Sequence, residues 1–208
     1  MPPWSAGEYA GPLRALVVDH KDHGRLALAA PLGRLLAVAV TAAAGAPAGV
    51  AAGAPAGVAA GAAAGGGALH LVPVPSHPVV VRQRGQDPLL RITRQASAAL
   101  RRQGAPVTVV PALRVVERPG DQAGLGAGDR AANVAHRFAA RERVAETCAA
   151  AGRVLLVDDV ITTGSTIREA QRALEAVGVV VDAAATVAAT RRRNASSPPW
   201  LPIPPSGG

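Results

Sequence analysis

Apolar positions fall into two kinds of run along the chain. In the first kind they recur every three or four residues, as one face of a helix requires. Between Gly11 and Val40 this pattern predicts two helices. Pro12 suits a first helical position and Leu13, Leu16 and Val17 share a face; Gly24 then breaks the pattern, and Leu26, Leu28, Leu32, Leu35 and Leu36 resume it. Leu89 to Gln103 repeats the helical spacing through Leu90, Ile92 or Thr93, Ala96, Ala99 and Leu100, and Gly104 stops it. So does the segment with Ile167, Ala170, Leu174 and Val177, for which Thr166 and Glu169 fit a capping box and Gly178 a stop. In the second kind the apolar residues are continuous. Leu69 to Pro75 reads as a strand ended by its second proline, with Ser76 and His77 in the following turn, and Val107 to Val116 as a strand interrupted or ended near Pro111. Val154 to Val157 has the composition of a buried parallel strand, and Val179 to Val181 with Ala183 to Thr190 supplies a further one. Strands alternating with helices predict an α/β fold, a mainly parallel twisted sheet flanked by helices.

Composition divides the chain. Residues 44–51 are repeated letter for letter at 52–59, and 60–67 are a decayed third copy. An Ala/Gly/Pro octapeptide has too little apolar bulk for a core and too much Gly and Pro for a stable helix, so 44–67 reads as a flexible insertion. The expected organisation is an N-terminal helical part at 1–43, the repeat at 44–67, the main domain at 68–190 and a disordered tail at 191–208 that opens on Arg191, Arg192 and Arg193. No charged residue lies between Leu35 and Leu69, but alanine and glycine dominate there rather than leucine and isoleucine, so no membrane span is expected. Without an export signal before Trp4 the expected location is the cytoplasm. The lone Cys148 excludes an intramolecular disulfide and a cysteine zinc site. Asp19, His20, Lys21, Asp22 and His23 read as a solvated helix end rather than a metal site. The net charge of +8 is carried almost wholly by arginine, which suits a diphosphate and equally a nucleic-acid backbone.

The candidate chemistry centres on residues 153–166. The strand Val154–Val157 stops on Asp158 and Asp159, which are poor core residues and belong in a crevice at the strand's carboxyl end. Thr162, Thr163, Gly164, Ser165 and Thr166 then lead into a helix amino terminus, where free N–H groups, the positive dipole end and the hydroxyls suit a phosphate monoester. Two carboxylates beside a phosphate site fit a vicinal diol, so ribose 5-phosphate is the implied shape. After the 69–75 strand, Arg82, Arg84 and Gly85 form a loop suited to clamping a diphosphate. A Walker A loop is excluded, because it needs a Gly-Lys pair and the chain's only lysine is Lys21.

The 154–166 stretch closely resembles the phosphoribosyl diphosphate (PRPP) signature of type I phosphoribosyltransferases. Tyr9-x-Gly11-x-Leu13-Arg14, Lys21-x-x-Gly24, Val72-Pro73-Val74-Pro75, Arg82-x-Arg84-Gly85, Gln122-x-x-Leu125, Arg130-x-x-Asn133 and Phe138, in that order, resemble the ComF-type competence family of phosphoribosyltransferase-like proteins. Two features depart from it: the usual four-cysteine zinc module is missing, and Gln86, Asp87 and Pro88 stand where an aromatic, Asn and Gln are usual. The resemblance implies a flexible hood over the site, with Gln122, Arg130 and Asn133 as polar contacts, and displacement of Mg2+-bound pyrophosphate from PRPP by a nitrogen nucleophile. Asp158 and Asp159 would then hold the ribose hydroxyls and order Mg2+, residues 162–166 the 5-phosphate, and Ser76, His77, Arg82 and Arg84 the pyrophosphate. The acceptor is open, and a homo-oligomer is compatible. Two alternatives remain open: a DNA-uptake or recombination factor binding single-stranded DNA on the same fold, and a non-catalytic PRPP-binding regulator.

Overall fold

The computed structural model describes residues 3–45, 68–116, 136–141, 148 and 152–190. Among these, five strands form a wholly parallel sheet in the spatial order β1-β7-β6-β2-β3. They are β1 (Pro3–Glu8), β2 (Ala68–Pro73), β3 (Val107–Val109), β6 (Gly152–Ile161) and β7 (Ala183–Ala189). A short antiparallel pair, β4 (Leu113–Val115) and β5 (Phe138–Ala140), stands apart from it. The helices are α1 (Gly11–Lys21), α2 (Ala29–Gly45), α3 (Pro78–Arg84), α4 (Pro88–Arg102) and α5 (Ser165–Glu175). The expected α/β fold with a mainly parallel sheet is the observed one.

Alternation along the buried strands sorts side chains into two layers. Leu155 and Val157 of β6, Leu71 of β2 and Ala185 of β7 face one way, into a core completed by Leu32, Leu36 and Val40 of α2 and Ile92, Ala96 and Leu100 of α4. Val154 and Leu156, Val72 and Ala184 face the other way, against Ile167, Ala170 and Leu174 of α5 and Phe138 of β5. Leu155, Leu156 and Val157 are fully buried, each contributing roughly 1.5–3 kcal/mol of apolar transfer. Continuous apolar strands are what two covered faces require. Leu26–Gly45 is long and apolar enough to cross a membrane by length and composition; in this fold α2 packs on α4, β7 and β1. Gly33 allows that approach, since a Cβ there would lie 2.4 Å from Cβ of Gln95.

Several local expectations change. Pro3–Glu8, given no strand by its sequence pattern, is the sheet-edge strand β1, held by its pairing with β7. The stretch from Val107 to Val116 is two strands in different sheets, parted at Pro111. Val179 and Val181 are buried but lie before β7 rather than in it. β6 does not end on its acids; it continues to Ile161, because β7 pairs with it as far as Ala189. Arg82 and Arg84 sit in the last turn of a helix, not in a loop. Pro78 supplies that helix's first turn, His77 Nδ1 accepts from the Val79 N–H, and Gly85 ends it at φ 68°.

The capping box is also not formed. Gly164, at φ 77°, is the N-cap of α5 and offers no side chain. Glu169 instead turns inward, where Arg172 donates to both its oxygens and the Phe138 N–H donates to Oε1 at 3.3 Å. Arg172 also donates to the Phe138 carbonyl, so this pair fastens β5 to α5. Burial alone would raise the pKa of Glu169, but Arg172 and the backbone N–H groups of Phe138 and His136 outweigh it and hold the carboxyl below its ordinary value.

Candidate functional site

The strand order locates a crevice before any side chain is considered. From β2 the chain moves outward to β3, then returns to the other side of β2 for β6 and continues to β7. The order therefore reverses between β2 and β6, and ligands of open α/β sheets bind outside the strand ends at such a switch point. The ladder between these strands closes at Pro73 opposite Val157, and the Val74 N–H donates to the Val157 carbonyl at 3.0 Å. Beyond it one strand presents Pro75, Ser76 and His77, and the other presents Asp158 and Asp159.

Being consecutive on a strand, the two acids point to opposite layers. Asp158 lies on the α5 side, and its Oδ1 accepts the Asp159 N–H at 2.8 Å. Asp159 lies on the side of the N-terminal helices and is 7 % exposed. Its Oδ1 accepts the Val160 N–H at 2.9 Å, and its Oδ2 accepts Nζ of Lys21, at the end of α1, at 2.6 Å. Lys21 bonds Asp159, and its charge also acts on Asp158. Part of the Asp158 surface is open, yet the surrounding protein desolvates its carboxyl group; that effect first, and the Asp159 charge second, hold its pKa well above 3.8. Burial works to lower Lys21, but the charge and hydrogen bond of Asp159 outweigh it and leave the ammonium above its ordinary value.

The phosphate candidates follow at once along the chain. Thr162 and Thr163 are exposed, and Ser165 and Thr166 are partly buried at the first turn of α5. Thr163 Oγ1 and Ser165 Oγ are 2.8 Å apart, and Arg168 donates to the Thr163 carbonyl at 3.0 Å. Gly164 as N-cap offers no side chain to the first-turn N–H groups; Thr163 Oγ1 accepts the Ser165 N–H at 3.3 Å, and a helix amino terminus of this kind suits an anion.

The diphosphate candidates divide. Ser76 and His77 lie in the short connection between β2 and α3; Ser76 Oγ donates to Asp87 Oδ1 at 3.1 Å, and His77 caps α3. Arg84 reaches back to Asp22, with Nη2 2.9 Å from Oδ1, while Arg82 is exposed. Asp87 also accepts the Leu90 N–H at 3.1 Å and Pro88 follows, so the unusual 86–88 segment is the start of α4. Gln122, Arg130 and Asn133, and the hood as a whole, lie outside the described residues. Lys21 was not among the site residues expected from sequence. Its signals were its standing as the only lysine and its Lys21-x-x-Gly24 context.

No group of three or more His, Cys, Asp and Glu residues gathers among the described residues. An all-protein metal cage is therefore absent there, but Mg2+ commonly keeps its waters and uses one or two carboxylates with substrate phosphates, and Asp158 and Asp159 suit that mode.

The parallel sheet, with its acidic pair and hydroxyl loop at the switch point, is an arrangement consistent with a phosphoribosyltransferase-like α/β fold. Residues 127–201, which contain β6, the acidic pair, the hydroxyl loop, α5 and β7, match the family model of the phosphoribosyl transferase domain. At the level of that domain the match points to phosphoribosyl transfer with PRPP as substrate. No curated protein matches the chain.

Proposed function

We propose that the protein binds Mg·PRPP at the β2/β6 switch point and transfers its phosphoribosyl group to a nitrogen nucleophile. The observation that carries this reading is the meeting, at the carboxyl end of the central strand β6, of an acidic pair with a glycine-capped helix amino terminus. Asp158 and Asp159 accept hydrogen bonds from the ribose hydroxyls. Residues 162–166 hold the 5-phosphate, and Ser76, His77, Arg82 and Arg84 face the diphosphate. The C1–O bond to diphosphate breaks as a C1–N bond forms, and the proton of the nucleophile passes to the departing diphosphate or to water. Charge develops on the ring and on the departing diphosphate, so the protein's contribution is alignment and charge stabilisation. Asp158 and Asp159 would hold Mg2+, which would supply positive charge to the departing diphosphate. The order of motifs from Tyr9 to Thr166 supports the finer placement in the ComF-type family.

The test is release of pyrophosphate from Mg·PRPP across a panel of nucleobases and amines. Acceptor-dependent release supports transfer. Intact PRPP binding with no release from any acceptor would replace the enzyme by a non-catalytic PRPP sensor. One observation favours a second reading: α4 exposes Arg91, Arg94, Arg101 and Arg102 and contains no acidic residue, a face suited to a single-stranded DNA backbone. Salt-dependent oligonucleotide binding that survives Asp158→Asn would put that reading first.

A further inference from the structure

Two adjacent residues at the carboxyl end of α1 engage both halves of the site just proposed. Lys21 bonds Asp159 of the ribose half at 2.6 Å, and Asp22 bonds Arg84 of the diphosphate half at 2.9 Å. The charges are those of the substrate complex: a cationic donor on the carboxylate, and an anionic oxygen on the guanidinium. Both contacts span long stretches of sequence, and neither belongs to a helix or sheet ladder. Neither is sealed from solvent, since the Lys21 and Asp22 side chains are 43 % and 52 % exposed.

We propose that the Lys21–Asp22 step is a substrate-mimicking latch. Lys21 stands in for the hydroxyl and cationic partners of Asp159, Asp22 stands in for the diphosphate on Arg84, and PRPP binds by displacing both. The idea rests on the PRPP reading and adds regulation of that site: α1 sets how readily the site is vacated. Position explains why these residues do it. Val17 and His20 bury the inner face of α1, and His20 lies within 3.1 Å of the Arg25 carbonyl and 3.2 Å of the Pro88 carbonyl, so the helix end is fixed over the site while the two latch side chains remain free to turn away.

The experiment uses the full chain and Mg·PRPP. Exposed ion pairs are worth little, so Asp22→Asn should tighten PRPP binding only about two- to fivefold by calorimetry. Asp19→Asn removes the same charge from the same helix, but Asp19 pairs with His23 and Arg25 rather than with Arg84, so its affinity should match the wild type. Because Lys21 is the only lysine, protein labelled selectively with 13C-lysine gives one side-chain signal, which should move as PRPP saturates the site. Unchanged or weaker binding by Asp22→Asn, equal tightening by Asp19→Asn, or a stationary lysine signal in the PRPP complex would each overturn the latch and leave the PRPP reading standing. If no form binds PRPP, that reading falls and the latch with it.

Discussion

The two halves of the site are built differently. The proposed ribose-phosphate half is largely local: β6 with its two acids, the three residues 162–164 and α5 follow one another without interruption between Gly152 and Glu175. Its geometry comes from a strand end, a glycine at φ 77° and a helix start. The diphosphate half is assembled across the fold. Ser76 is held by the cap of α4, His77 by its own role as a cap, and Arg84 by an acid on α1. The first half takes one partner from elsewhere, Lys21 on Asp159. In the second, Ser76, His77 and Arg84 all have partners already, and a ligand must win them over.

That contrast can be broken by substitution. Gly164→Val puts a β-branched residue at positive φ, in the cradle itself, and should reduce affinity for ribose 5-phosphate and for PRPP at least about tenfold. Arg84→Ala should weaken inorganic pyrophosphate binding about threefold to tenfold while leaving ribose 5-phosphate affinity unchanged. Calorimetry with the two half-ligands checks both, and loss of ribose 5-phosphate binding in Arg84→Ala would erase the distinction.

A smaller effect concerns stability. Asp158 has its pKa raised in the folded state, by burial and then by Asp159, so its contribution to stability is complete below the unfolded value and is lost as pH rises through the folded one. The ligand-free wild type should therefore lose stability as pH climbs above 3.8. Asp158→Asn, with no carboxyl proton to lose, should flatten that slope and be the more stable of the two above that pH. Thermal unfolding across pH checks this, and identical slopes for the two proteins would refute it.

The same contrast explains what the sequence discloses. The parallel sheet, α1, α2, α4 and the 154–166 element are visible because hydrophobic period and motif order are local properties. β1 was hidden because Pro3–Glu8 has no alternation of its own and becomes a strand through β7. The helical setting of Arg82 and Arg84 was obscured by the short run from Pro78, although His77-Pro78 and Gly85 are its start and stop. Glu169 fitted a capping box by spacing; only the packing of β5 shows that Arg172 and Phe138 claim it. Lys21 was overlooked as a site residue because its partner lies 138 positions away.

The central claim is that Asp158 and Asp159 form a ribose site at the sheet's switch point. Calorimetric titration of the wild type and of an Asp158→Asn/Asp159→Asn double variant with Mg·PRPP tests it most directly. The wild type should bind saturably, and the double variant, still folded, should not bind. Equal binding by the two proteins, or none by a folded wild type, would contradict it.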